Sequence, residues 1–384
     1  MQNWLLPEYI HDMLPDEAWR VERVRSRLLD LMRKSGYQLV APPLLEYAQS
    51  LLIDGSTDMD LRTFKLVDQL SGRTLALRAD ITPQVARIDA HLLNHQGVSR
   101  LCYAGSVLHT TPAGLNRTRE LLQIGAELYG HGGIESDLEI QQLMLQSLSM
   151  LGVQNVHLDL GHVGVFRALV SHAKLDRDRE AELFAAMQSK DSTRLRELTA
   201  DIDPVTRDAL LALPALYGNC DEVLESARSV LPDLPVIRAA LNDLQTVAGK
   251  LQVASIGIDL AELRGYHYHS GMVFAAYHAG SHDAIALGGR YDDLGKSFGR
   301  ARAATGFSMD LRQLYRLLPA QSERMGIRAP YLDDPALTAM IAQLRDAGDA
   351  VVVSLPGSTD DPAESRCDRE LMLQNGVWQV VAIN

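Results

Sequence analysis

Four short segments concentrate the residue types that bind or react with a small charged molecule. Asp80-Ile81-Thr82-Pro83 sets a carboxylate two residues from a hydroxyl. On an extended backbone both side chains point the same way, which suits an ammonium group; the alternative is a helix start capped just before Pro83. In the second segment Gln123, Gly125 and Glu127 alternate along one face of an expected strand, and the glycine leaves a notch that can hold a small polar ring. A purely structural reading instead pairs Glu127 with an arginine and makes Gly125 a bulge. The third, Arg264-Gly265-Tyr266-His267-Tyr268-His269-Ser270-Gly271, packs one guanidinium, two phenols and two imidazoles between glycines and reads as a pocket wall. Zinc binding through His267 and His269 lacks a third ligand at useful spacing. The fourth comprises Gly288-Gly289-Arg290-Tyr291-Asp292 and the stretch from Ala304 to Leu311. Its glycines read as tight turns, and they match neither the phosphate-binding P-loop nor the nucleophile elbow.

These segments need a scaffold, and hydrophobic periodicity outlines one. Val21, Val24, Leu28 and Leu31 recur at helical spacing before Gly36, predicting an amphipathic helix over 17–34. Residues 37–46 read as one short strand closed by Pro42-Pro43, at a sheet boundary or interface. Hairpins are expected at 64–68 with 74–78 and, longer, at 101–109 with 119–129, the second around Pro112-Ala113-Gly114. A helix over 138–151 precedes the alternating run Val156–Leu160. From about 163 to 250 the pattern is helical throughout, with the stripe Ile237, Ala240, Leu241, Leu244 and Val247, and reads as an insertion interrupting one sheet. Strands return at 255–260 and 272–277, followed by a turn at Gly288-Gly289 and a helix-like stretch over 306–318. The last 66 residues alternate strand-like runs (350–355, 377–383) with a helix over 335–347, enough for a small α/β module. Hairpins, a helical insert and further strands indicate an α+β fold, not a doubly wound parallel sheet.

Composition narrows the partners. The 384 residues are 46% hydrophobic and 22% charged, enough for a large core and two domains, expected at 1–318 and 319–384. Thirty-seven Lys and Arg against 49 Asp and Glu leave a net charge of −12, which argues against a surface built for nonspecific nucleic-acid binding. Cys102, Cys220 and Cys367 form no metal knuckle and no disulfide framework. The first residues lack a basic and apolar leader, and no run approaches the roughly 18 apolar residues of a membrane span, so a cytoplasmic location is expected.

Taken together, the segments resemble the histidyl-tRNA synthetase family over roughly residues 1–318. The Pro42-Pro43 strand looks like motif 1 of class II synthetases, the dimer interface in that family. Residues 100–130 look like the motif 2 hairpin, 264–274 like the histidine-recognition segment, and 288–313 like the approach to motif 3. The resemblance implies a class II aminoacyl-tRNA synthetase-like antiparallel sheet with flanking helices. It also implies a histidine-binding set in which Asp80 and Gln123 face the amino group with Thr82 supporting them, Glu127 and Tyr268 approach the imidazole, Arg264 lies near the carboxylate and His269 stands in place of a tyrosine.

The departures from the family decide the expected activity. His109 and Thr111 stand where the family carries the motif 2 arginine and glutamate, and Arg312-Gln313 where it carries the motif 3 glutamate and arginine. Losing one preorganised donor to a charged transition state costs about 2.7–4 kcal/mol, or 10²–10³ in rate, so losing two should silence adenylation. Arg117 and Arg119 survive as an anion-binding remnant. Degraded adenylation motifs, an RGYHYH segment and a short tail are similar to the regulatory-subunit branch associated with ATP phosphoribosyltransferase. That branch implies a non-catalytic chain that needs no cofactor or metal. Its implied partners are a short-form catalytic subunit, L-histidine as ligand, and a second copy within a hetero-oligomer such as a hetero-octamer. The competing readings are a free-standing histidine-activating ligase and a tRNA-sensing paralogue.

Overall fold

The computed structural model describes residues 4–52, 57–112, 118–266, 268–279, 283–319, 325–357 and 366–383. The chain divides into two compact units, Met1–Leu318 and Pro319–Asn384. Among the described residues no helix is long and apolar enough to cross a membrane.

The first unit opens with the helix Pro15–Lys34, whose buried stripe is Val21, Val24, Leu28 and Met32; Leu31 lies only partly buried beside it. The segment around the prolines is not one strand. β1 (Gln38–Leu39) pairs in parallel at the edge of the main sheet, and the chain then departs into β2 (Leu45–Tyr47) of a separate sheet. Prolines 42 and 43 have no N–H to continue the ladder, and the Pro42 carbonyl instead accepts from the buried Arg78 (2.7 Å). β3 (Lys65–Val67) and β4 (Thr74–Leu77) form the expected hairpin and complete that three-stranded sheet, order β2-β4-β3.

β5 (Ser99–Leu108) and β6 (Glu120–Tyr129) form the long hairpin, followed by the helix Ile134–Met150 and β7 (Val156–His162). The insertion is helical from Val163–His172 to Pro235–Lys250, with one exception: β8 (Tyr217–Asn219) joins the sheet edge beside β9 (Ser255–Asp259). β7 and β9 lie side by side in parallel, so the insert does interrupt one sheet. β10 (Met272–His278), β11 (Ala286–Arg290) and β12 (Ala304–Asp310) complete nine strands in the order β1-β5-β6-β12-β11-β10-β7-β9-β8.

Two expectations fail here. Gly288 and Gly289 lie inside β11, not in a turn. A Cβ on Gly288 would overlap the Phe274 ring and the Gly306 carbonyl, and one on Gly289 would sit 2.7 Å from the His269 ring. These glycines serve close approach across the sheet. Residues 304–310 are likewise a strand, and the helix begins only at Leu311, where the Asp310 carboxylate accepts from Arg312 N–H.

The second unit is a four-stranded sheet, order β14-β13-β15-β16, built from β13 (Gly326–Ala329), β14 (Val351–Val353), β15 (Cys367–Gln374) and β16 (Val377–Ala382). The helix Pro335–Asp346 packs on it over a core of Ile327, Ala329, Leu337, Ile341, Val351, Leu371 and Trp378. Neither β13 nor β15 was expected. The charged run Asp368-Arg369-Glu370 breaks the alternation of β15 because Arg369 reaches Asp349 and Glu370 pairs with Arg328.

Candidate functional site

The face of the main sheet that carries Gln123, Gly125 and Glu127 is lined by glycines on successive strands. Across the register Glu127 lies opposite Gly306, Gly306 opposite Gly289, Gly289 opposite Val273, and Val273 opposite Gly161. Paired residues share a face, so the sheet there is shallow, and the loop from Leu260 to Ser270 folds over it. Glu127 lies across Gly306, where a Cβ would overlap its carboxyl Oε2. Gly306→Ala is therefore expected to cost about 1–3 kcal/mol by overpacking, read as a lowered Tm.

Glu127 is 1% exposed and is surrounded by hydroxyls. Tyr103 Oη donates to its Oε1 (3.0 Å), Thr82 Oγ1 lies 3.1 Å from the same oxygen, and Tyr291 Oη donates to Oε2. Among the described residues its hydrogen-bond partners include no cation, and the alternative pairing with an arginine is not found there. Burial pushes the Glu127 carboxyl up to about 8, against the lowering effect of the Tyr291, Tyr103 and Thr82 hydrogen bonds. Gly125 is no bulge: it keeps register with Tyr103 and Ser308. The notch it makes is filled by the protein's own Tyr103, whose Oη would lie 2.5 Å from a Cβ at that position.

Asp80 and Thr82 are not on an extended strand. Thr82 opens the helix Thr82–Arg87, and Asp80 Oδ1 accepts from Thr82 N–H (3.1 Å) and faces Thr82 Oγ1 (3.2 Å). Gln123 Nε2 donates to the same Oδ1 (2.8 Å) while Gln123 Oε1 accepts from Ile81 N–H (2.9 Å). The helix-start alternative holds locally, yet the turn still brings Asp80, Thr82, Gln123 and Glu127 into one network.

Tyr268 joins them from the loop. Its ring packs on Tyr291 (5.0 Å between centroids) and meets His269 edge-on (5.3 Å), and among the described residues its buried hydroxyl has no hydrogen-bond partner. His269 sits in the space left by Gly289, with Nδ1 3.1 Å from the Arg264 carbonyl. A carbonyl only accepts, so Nδ1 carries the proton and Nε2 keeps its lone pair. Burial pushes this imidazole down to about 4. The Arg264 side chain is not part of the network; Glu262 (2.8 Å) and the Tyr277 hydroxyl (2.9 Å) hold it. His267 lies outside the described residues, and among those described no cluster of three His, Cys, Asp or Glu could hold a metal.

At the positions where the resemblance expects adenylation cations, His109 and Gln313 make other contacts. His109 Nε2 lies 2.9 Å from the Ala79 carbonyl, and Arg62 Nη2 lies 3.3 Å from Nδ1 and 3.4 Å from Nε2. Arg119 stacks on Phe64 (4.8 Å) and donates to the His109 carbonyl (3.2 Å). Arg312 pairs with Glu120 (3.0 Å), and Gln313 donates to the Ala284 carbonyl (3.2 Å). Arg117 lies outside the described residues. A cavity of about 320 Å³ opens elsewhere, beside Tyr37, Arg100 and Glu139. There both Arg100 and Tyr37 donate to Glu139.

Tyr103, Tyr129 and Tyr291 were missed as site residues. Tyr103 was recoverable, because the hairpin register sets it opposite Gly125 on the same face. Tyr291 and Tyr129, whose hydroxyls lie 3.3 Å apart, meet only through strand order.

A histidyl-tRNA synthetase family model matches residues 9–314, and a model of the ATP phosphoribosyltransferase subunit HisZ C-terminal domain matches residues 324–381. An ATP phosphoribosyltransferase regulatory subunit from Nitrosospira multiformis is 57% identical over 387 residues, covering 99% of this chain and 98% of that protein. One from Ralstonia nicotianae is 58% identical over 380 residues, with 99% and 98% covered. A crystal structure described as an ATP phosphoribosyltransferase regulatory subunit/histidyl-tRNA synthetase from Bacillus halodurans superposes with a TM-score of 0.82 at 27% identity, covering 94% of this chain and 96% of that one. Histidyl-tRNA synthetase from Nostoc shares the fold, with a TM-score of 0.77 at 17% identity and 99% and 97% covered. With a synthetase-like fold in the first unit and relatives matched over nearly their full length, the chain belongs to the family of ATP phosphoribosyltransferase regulatory subunits.

Proposed function

We propose that this chain binds L-histidine at the Glu127 network and, in the cytoplasm, assembles with a short-form catalytic ATP phosphoribosyltransferase subunit whose activity it supports and makes sensitive to histidine. The observation that carries the histidine assignment is a buried carboxyl that has no cation among the described residues, Glu127, close to a phenol whose buried hydroxyl has no partner among them, Tyr268. An imidazole supplies what both lack: a ring N–H for the carboxyl and a second nitrogen for the hydroxyl. Asp80, Thr82 and Gln123 take the amino group. Arg264 reaches the carboxylate only by leaving Glu262 and Tyr277, a rearrangement that binding energy would have to drive. His269, neutral in its setting, shapes the ring end. Arg119 and Arg117 hold any anion that follows.

A site that binds histidine without turnover suits feedback, which needs a differential affinity for two states of an assembly, typically about 1–3 kcal/mol of coupling. Core dimerisation through the Pro42-Pro43 segment, within a hetero-oligomer such as a hetero-octamer, belongs to the same reading.

The test mixes the purified chain with a short catalytic subunit. Co-elution, a raised transferase rate and inhibition of the mixture by histidine are expected. Absence of both co-elution and activation would overturn the assembly, and histidine-dependent ATP–pyrophosphate exchange by the chain alone would favour the ligase instead.

A further inference from the structure

Sheet edges expose unpaired backbone groups, and folds blunt them with short strands, charges or prolines. In the main sheet the edges are β1, two residues, and β8, three. In the three-stranded sheet they are β2 and β3, three residues each and carrying Glu46 and Lys65. β14 of the second unit also has three. β16 is the exception among the described residues: six residues, Val377-Trp378-Gln379-Val380-Val381-Ala382, with no charge and no proline.

The direction of its free backbone groups follows from its pairing with β15. Asn375 and Gly376 both have positive φ (53° and 79°) and join Gln374 to Val377 as a two-residue hairpin turn. Ile383 N–H donates to the Asp368 carbonyl (2.9 Å). Since inward and outward groups alternate in an antiparallel ladder, Val377, Gln379 and Val381 also point toward β15. Trp378, Val380 and Ala382 therefore turn their N–H and C=O groups away from it. Those three positions are symmetric about Val380.

We infer that β16 pairs antiparallel with β16 of a second copy of this chain, about a two-fold axis through Val380. Val380 then exchanges both hydrogen bonds with its own counterpart, and Trp378 does so with Ala382 of the other copy on either side. Every outward group is used, and an antiparallel strand centred on one residue is self-complementary under two-fold symmetry. An uncharged strand brings no like charges together. Val380, 38% exposed on the side of the sheet that faces the helix, meets its own copy there, covering apolar surface that the helix leaves open. A second copy is favoured over another partner because the match needs no strand from outside this sequence.

Spin labels at Gln374→Cys, in a full-length Cys220→Ser background, test the pairing by pulsed electron resonance. Six residues of strand rise and three interstrand spacings place the two labelled backbones about 25 Å apart. Val380→Pro removes only an outward N–H and so spares the β15 ladder, while Val380→Lys adds charge to the edge. A distance near 25 Å that both variants abolish, with circular dichroism and thermal unfolding of the variants unchanged, is the expected result. No such distance, or one that survives both substitutions, overturns the inference. No such distance in the chain alone, with a catalytic-subunit complex that both substitutions weaken, overturns it too, by assigning the edge to that partner. If the proline variant fails to fold, the lysine variant decides.

Discussion

Glu127→Gln is expected to weaken L-histidine binding about 10- to 100-fold at pH 7, because hydrogen bonds to a charged group contribute about 1.5–3 kcal/mol and each 1.4 kcal/mol is tenfold in affinity. The pH profile carries the mechanism. With its carboxyl pushed up to about 8, free Glu127 holds a proton throughout the range in which free imidazole, above about 6.5, has lost its own. The complex shares that single proton between carboxyl and ring, so affinity is flat between these values. Above about 8 the site must take a proton back on binding, and affinity falls; below about 6.5 the ligand must release one, and affinity falls again. Glutamine removes the alkaline limb.

The same substitution has the opposite effect on stability. A folded-state carboxyl that retains its proton from its ordinary 4.5 up to about 8 binds more protons than the unfolded chain does, so stability decreases as pH rises through that interval. Glu127→Gln should flatten that loss while leaving the side-chain shape intact. Calorimetric titration from pH 5.5 to 9 and melting curves across the same range read both effects. A variant that binds within twofold of the wild type would remove the imidazole assignment, and Tyr268→Phe, expected to cost less, gives an independent reading of the ring's other end.

Breaking the Arg302–Asp89 pair is the second large effect. Arg302 is in the connection between β11 and β12, and its Nη1 lies 2.9 Å from both Asp89 oxygens; the two side chains are 7% and 1% exposed. The same guanidinium also donates to the Gly97 carbonyl. Asp89 belongs to the wide helical turn Ile88–Leu93, which continues the helix begun by Thr82. The pair therefore clamps the element carrying Asp80 and Thr82 to the approach of the strand carrying Gly306. Removing one partner leaves a buried charge uncompensated, at about 3–5 kcal/mol. Arg302→Met should lower the free energy of unfolding by that amount, read as a reduced urea midpoint with little change in slope, and the double variant with Asp89→Asn should lose less than the two single losses together. Additive losses would show that the two side chains do not act as a pair.

The sequence determined the elements whose physics is local. The helix 17–34, the two hairpins, the interrupted sheet and the stripe from Ile237 to Val247 all follow from apolar spacing and turn residues. The α+β class and the grouping of Asp80, Thr82, Gln123, Glu127 and Tyr268 were also legible, because they lie in segments whose composition is unusual and whose order resembles a known family. What the tertiary structure alone decided depends on which strands are neighbours. Gly289 and Gly306 read as turn and helix residues because a glycine's absent side chain means nothing until His269 or Glu127 occupies the space. That Glu262 and Tyr277 hold the Arg264 side chain became visible only with the fold. Charge pairing and close approach are properties of residues far apart in the chain, and no one-dimensional spacing encodes the strand order that brings Tyr291 onto Glu127.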